Sequence, residues 1–298
     1  MRPLSVTPLL CLLAAAAAPA IRWGLEGHEM AARAAVRVLP SEMPGFFRSA
    51  GDQLVYLDPE PDRWRSQSMV ELDQSATYDH YIDLENVPEE ALAAPDRFVY
   101  LRMLYEAGLE RPERDGGFLP FRIVELYQRL VTEWRLWRAE GDATRRSWIE
   151  QRIIYDAGIL GHYVTDAAQP HHATIHFNGW SEASPNPAGY TLDRTFHARF
   201  EADFVRAHVR QDDVNGRVRS APRSLVGSTR SEVIDHIRGS NAQVEALYRL
   251  DRDVGFDPNR PARPETRDFA AERLAVGARM LADLWWSAWL ESAAPATR

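Results

Sequence analysis

The sequence has one cysteine, Cys11, and no lysine; all 35 of its basic residues are arginine. A single thiol cannot form an intrachain disulfide, so any stapling has to come from packing or from metal. Runs of alternating or β-branched residues are scarce, which argues against a sheet-based fold. Past residue 20 there is no long apolar run, and so no predicted membrane span. Positive charge is in deficit, 35 basic residues against 43 acidic ones for a formal net charge of −8. That balance disfavours gripping duplex DNA through bulk electrostatics and suits the binding of divalent cations.

What is present begins with an address. Arg2 is followed by the apolar stretch Leu9 to Ala18 and then by Ala18-Pro19-Ala20. A charged start, a short apolar run and a small-x-small site predict a secretory signal peptide over residues 1–20. The protein is then expected to be exported, periplasmic or secreted. Residues 21–298 fit one domain able to bury a sizeable core. Apolar spacing predicts helices over residues 27–39, 123–138, 147–168, 195–209, 231–250 and 266–290, with Ser231 and Thr266 as N-caps. Pro and Gly cluster in 58–62, 178–189 and 255–264, which read as loops. The arginine-rich stretch 210–230 reads as a mobile surface loop. With no internal repeat and no clear linker, the expected fold class is all-α, a single helical domain.

The nine histidines are unevenly placed. In GHYVTDAAQPHH, His162 and Asp166 are four apart on a predicted helix and face the same way, one turn apart. His171 and His172 follow the helix stop at Pro170. In FHARFEADF, His197 and Glu201 repeat the i, i+4 spacing. Taken alone, each pair could be an ordinary ion pair on a helix surface. Two such pairs beside apolar faces, with a histidine after the first, exceed the needs of one metal. Imidazole and carboxylate are the ligands zinc accepts where no thiolate is available.

Four pieces then fall in one order: Trp23-Gly24 with Gly27-His28; His80-Tyr81-Ile82-Asp83; His162-Tyr163-Val164 with Asp166, Gln169-Pro170 and His172; and His197 with Glu201. Together they resemble the superfamily that joins zinc-dependent bacterial phospholipase C to the single-strand-specific zinc nucleases of fungi and plants. The resemblance implies a helical domain with about three zinc ions at the bottom of a cleft. Carried over by position, it gives one zinc to His80, His162, Asp166 and an aspartate upstream of His80. Asp62 is the choice made here, with Asp58 and Asp52 open. Asp166 would bridge to a second zinc held by His28 and the backbone of Trp23, and a third zinc would take His172, His197 and Glu201. Asp62 and Asp166 are the catalytic candidates, Asp62 as the carboxylate that orients or deprotonates a water.

The sequence departs from the family in two places. Ile21 and Arg22 stand ahead of Trp23 when cleavage follows Ala20, whereas the family's tryptophan is the first mature residue. Glu201 matches the phospholipase branch, while HYID sits closer to the nucleases. The resemblance implies a phosphoric ester hydrolase, a phosphodiesterase acting on single-stranded nucleic acid or nucleotides, with a phospholipase C acting on phospholipid as the alternative. A non-catalytic zinc-binding protein is the reading from another class. Asn178 and His176 are candidate phosphate donors, and Phe177, with Trp180 and Tyr190, a candidate base pocket. His171 is read as outside the ligand set, facing a neighbouring shell or solvent, and His208 and His236 as surface. Trp134, Trp137, Trp285, Trp286 and Trp289 lie at helical spacing and are assigned to the core. A monomer is expected.

Overall fold

The structure, a computed structural model, describes residues 24–294. The signal-peptide reading and the assignment of Trp23 lie outside the described residues. The protein is an all-α single domain. Among the described residues the only β pairing is one isolated bridge, Ile82 with Gly117.

The organising element is the Ala143–Ala167 helix. Asp142 starts it, its side chain accepting from the Arg145 N–H at 2.8 Å, one of the donors a helix start leaves without a partner. Its N-terminal half is amphipathic, and from Ile153 onward nearly every residue except Tyr155 is buried. A helix apolar all round has to be surrounded. The Leu119–Ala139, Pro264–Glu291, Leu25–Val36 and Gly51–Leu57 helices supply the surround. Gly161 and Gly158 permit the closest of these approaches. A Cβ on Gly161 would overlap the Asp58 carboxylate, and one on Gly158 would overlap Leu57 Cβ.

At one end of the domain the core is aromatic. Trp134 packs against Phe47 and Trp289 at ring-centroid distances of 5.5 and 5.1 Å, and Phe47 meets Trp285 at 5.6 Å. Phe47 is fully buried, and burial of a side chain of that size contributes about 2 kcal/mol. Trp134 and Trp285 are core as expected, with Trp137, Trp286 and Trp289 packed against it.

Several expectations are corrected. Residues 210–230 are in large part a surface loop, as expected, but they are also anchored. They include the Gln211–Asn215 helix, and Arg219 and Arg223 both reach the buried Asp283, at 2.7 and 3.2 Å. The Arg223 backbone N–H also donates to Asp283, at 2.6 Å. An acid on a distant helix was the missing partner. The predicted 231–250 helix is two helices, Thr229–Asn241 and Val244–Asp253. At the break, the Ser240 hydroxyl donates to the Ala167 carbonyl and the Asn241 amide to that of Ala173. Ser231 and Thr266 are not N-caps. Both lie inside their helices, their hydroxyls donating to the Ser228 and Arg263 carbonyls.

Candidate metal centre

Four stretches of chain meet at the C-terminal half of the Ala143–Ala167 helix. The Leu25–Val36 helix brings His28, the Glu60–Arg63 turn brings Asp62, and the short 3-10 turn Tyr78–His80 brings His80. The last stretch, 196–208, is helical but changes winding. Residues Arg199–Phe204 form a π segment between two short α pieces. Such bulges re-aim side chains and recur at functional sites. Here the segment carries Glu201, whose Oε2 lies 2.8 Å from His197 Nε2.

Asp166 is central. One of its oxygens lies 3.1 Å from His80 Nδ1 and 3.3 Å from His162 Nε2, the other 3.6 Å from His28 Nε2 and from His172 Nδ1. The arrangement resolves into three groups able to hold metal ions: His28, His162 and Asp166; Asp62, His80 and His162; and His172, His197 and Glu201. Of the residues named from the sequence, these groups bring together every proposed metal-binding side chain among the described residues. Of the three aspartates left open upstream of His80, only Asp62 joins a group. Asp52 is fully exposed, near Arg33. Asp58 is buried but accepts from His28 Nδ1 at 2.8 Å, an outer partner that fixes the ring and leaves Nε2 turned inward.

The donor chemistry fits divalent cations. Asp58, Asp62, Asp166 and Glu201 are all buried among imidazoles, with one guanidinium, that of Arg65, 3.8 Å from Asp62. Several kcal/mol of desolvation per ion is expected for such a nest without cations. Two imidazole pairs meet nitrogen to nitrogen, His80 Nδ1 with His162 Nε2 at 3.0 Å and His172 Nε2 with His197 Nε2 at 3.1 Å. When the rings are neutral, lone pairs that converge in this way suit a shared cation. The buried His28 Nε2 and Glu201 Oε1 have no hydrogen-bond partner. His172 repeats the outer-partner pattern, its Nδ1 lying 2.7 Å from the His80 carbonyl. Gln169, whose amide donates to Glu201 at 3.1 Å, does the same for the carboxylate.

Charge is sorted within the nest. Burial lowers His80 and His162 to about 4, the neutral form a metal requires. Burial alone would depress His172 too, yet the Asp166 and Glu201 carboxylates push it up to about 9. Burial raises Asp62, and raises Asp58 to about 6. Against the same burial, neighbouring imidazoles hold Glu201 at about 2 and Asp166 well below the usual carboxylate range.

The nest opens into a cleft of about 330 Å³ lined by His80, His172 and His197, with Arg65, Arg114 and Phe177 among the walls. Phe177 is therefore placed to meet a ligand. His176 is packed instead, stacked on Trp180 at 3.7 Å and accepting from the Ser181 N–H. Trp180 and Tyr190 pack on Tyr248. Asn178 lies beside the site, its side-chain oxygen accepting from the His197 N–H at 3.4 Å. His171 is not exposed to solvent. It is buried in a box of Phe196, Phe200 and Tyr248, against His197. His236 is half-buried behind the site, its Nε2 3.3 Å from the Val164 carbonyl, and His208 is half-buried near the Asp257 carbonyl. Reading by sequence missed Arg65 and Arg114, since arginines are frequent everywhere in this chain and neither stands in a distinctive spacing. Compared with protein-family models and with curated proteins, the chain matches none of them.

Proposed function

We propose that the protein is a zinc-dependent phosphodiesterase of the phospholipase C and zinc nuclease type, acting on single-stranded nucleic acid or nucleotides. The observation that carries this reading is the position of Asp166. It is one carboxylate within reach of four imidazoles, His28, His80, His162 and His172, two of which, His80 and His172, line a cleft. A binder that merely stores or is stapled by metal has no need of a cleft over its ligands, since structural zinc sites are closed by protein.

Zinc bound here would supply a nucleophile at neutral pH and charge neutralisation for a phosphoryl group. The chain's own residues do the rest. Asp62, buried in one group with His80 and His162, orients the attacking water and receives its proton. Arg65 and Arg114, on the cleft wall, hold the phosphoryl oxygens against the His80 side. Phe177 offers a half-exposed ring on which a base can stack. Asn178, with its oxygen engaged by His197, keeps its amide hydrogens to donate.

The test is a hydrolysis panel on zinc-loaded protein: single-stranded RNA, a 3′-nucleotide and phosphatidylcholine. Turnover of the first two supports the reading. Turnover of phosphatidylcholine alone moves the substrate to phospholipid. No turnover of any phosphoric ester with the metal groups filled leaves a binding protein.

A further inference from the structure

We propose a second binding site, for a neutral saccharide, on the outer face of the Leu119–Ala139 and Ala143–Ala167 helices. It lies in the N-terminal half of the latter, with Trp148 about 21 Å and Tyr155 about 10 Å along the helix from His162. Trp148 is 60% exposed, the only exposed tryptophan among the described residues, and Tyr155 is 44% exposed. They are seven apart on one helix, so they share a face about 10 Å apart, roughly the span of a disaccharide. Gln151 and Arg152 lie between them on the same face. All four line a cleft of about 210 Å³, which adjoins another of about 500 Å³ through Arg129, Glu133 and Arg152.

The polar groups in these clefts are planar, built in and balanced. Arg129 holds Asp156 through two bonds of 2.9 and 3.1 Å, and Arg152 holds Glu133 at 3.1 Å. Both carboxylates are buried, while both arginines are more than half exposed. The second oxygen of Glu133 is buried without a hydrogen-bond partner. Burial, helped by the neighbouring Asp156 charge, pushes Glu133 up to about 7, where it can both donate and accept.

Those features select the ligand. Both arginines are already paired with carboxylates, so a phosphate backbone finds no free guanidinium there. An apolar ligand would desolvate Gln151, Arg152 and Glu133 without replacing their water. A saccharide meets both demands. The C–H faces of its rings lie flat on Trp148 and Tyr155, and its hydroxyls reach the amide, the guanidinium and the carboxyl group between them.

The experiment is calorimetric titration of the zinc-loaded full chain with cellobiose, maltose and N,N′-diacetylchitobiose, beside Trp148→Ala and Tyr155→Ala. Both rings are exposed, so neither variant should disturb folding. At least one disaccharide should bind saturably. Each substitution should weaken it about tenfold or more, with zinc content and phosphodiester hydrolysis unchanged. No binding of any of the three up to about 10 mM, or binding undiminished in both variants, overturns the site.

Discussion

His28 stacks on His162, with ring centroids 4.1 Å apart and planes 13° from parallel. The two residues are far apart in sequence, yet both present Nε2 to Asp166, at 3.6 and 3.3 Å. The two imidazoles and the carboxylate form one group able to hold a metal ion, and His162 also belongs to the group of Asp62 and His80.

Replacing Asp166 by Asn keeps the shape and removes that anion. Two divalent cations within about 4 Å of each other then repel without compensation in a cleft of reduced dielectric. The variant should lose at least one zinc and nearly all hydrolysis of bis-nitrophenyl phosphate. His208→Ala, whose ring lies near the Asp257 carbonyl and away from the three groups, should keep both. Full metal content and parental turnover in Asp166→Asn would end the bridging assignment.

Metal removal should be felt as stability. The groups tie the Leu25–Val36 helix to the Ala143–Ala167 helix and the 196–208 stretch to the Pro170–Ala173 turn, and Cys11, the lone cysteine, offers no disulfide. A ligand at a thousandfold excess over its Kd stabilises by about 4 kcal/mol, so Tm should fall by about 10 °C with chelator. Scanning calorimetry with and without chelator measures it, and superimposable transitions would refute the claim.

Asp283 should govern the 210–230 segment. Its buried carboxylate gathers Arg219, Arg223 and the Arg223 backbone N–H. The arginines are about half exposed, so they can return to water in Asp283→Ala. The cost should be about 2 kcal/mol. Trypsin should then cut between 217 and 230 faster than in the parent. Equal cleavage rates would show that the segment is held by other contacts.

Glu133 should make stability depend on pH. Its carboxyl is raised in the fold to about 7 by burial and by Asp156, whereas the unfolded chain loses that proton near 4.5. Between those values the folded state binds more protons, so stability declines as pH rises from about 4.5 to about 7. Glu133→Gln should flatten that decline, gaining on the parent at pH 8 relative to pH 5 in urea denaturation. An identical pH profile for the two proteins would contradict the assignment.

Much of this was legible in the chain. The i, i+4 pairs His162/Asp166 and His197/Glu201 needed only the pitch of a helix, and the structure places both pairs in groups able to hold a metal ion. The choice among Asp52, Asp58 and Asp62 was not legible, because all three stand within a dozen residues on short helical turns. Their burial depends on which face of the Gly51–Leu57 and Glu60–Arg63 helices meets Gly161 and its neighbours. His171 was read as outside the ligand set, facing a neighbouring shell or solvent, and it lies outside the three groups, buried against His197. A residue's neighbours in sequence cannot reveal that Phe196, Phe200 and Tyr248 will close over it.

By itself the sequence determined the helical class and the residue types that can bind metal, because helix period and ligand chemistry are local properties. The tertiary structure alone decided that Asp283 fastens 210–230, that Asp58 serves His28 rather than joining a metal group, and that Trp148 and Tyr155 flank a polar cleft. Each of these sets a charge or a ring against residues from another stretch of the chain. Such pairings follow from how whole helices pack, and helix packing is fixed by the summed burial of the core rather than by any residue's own neighbours.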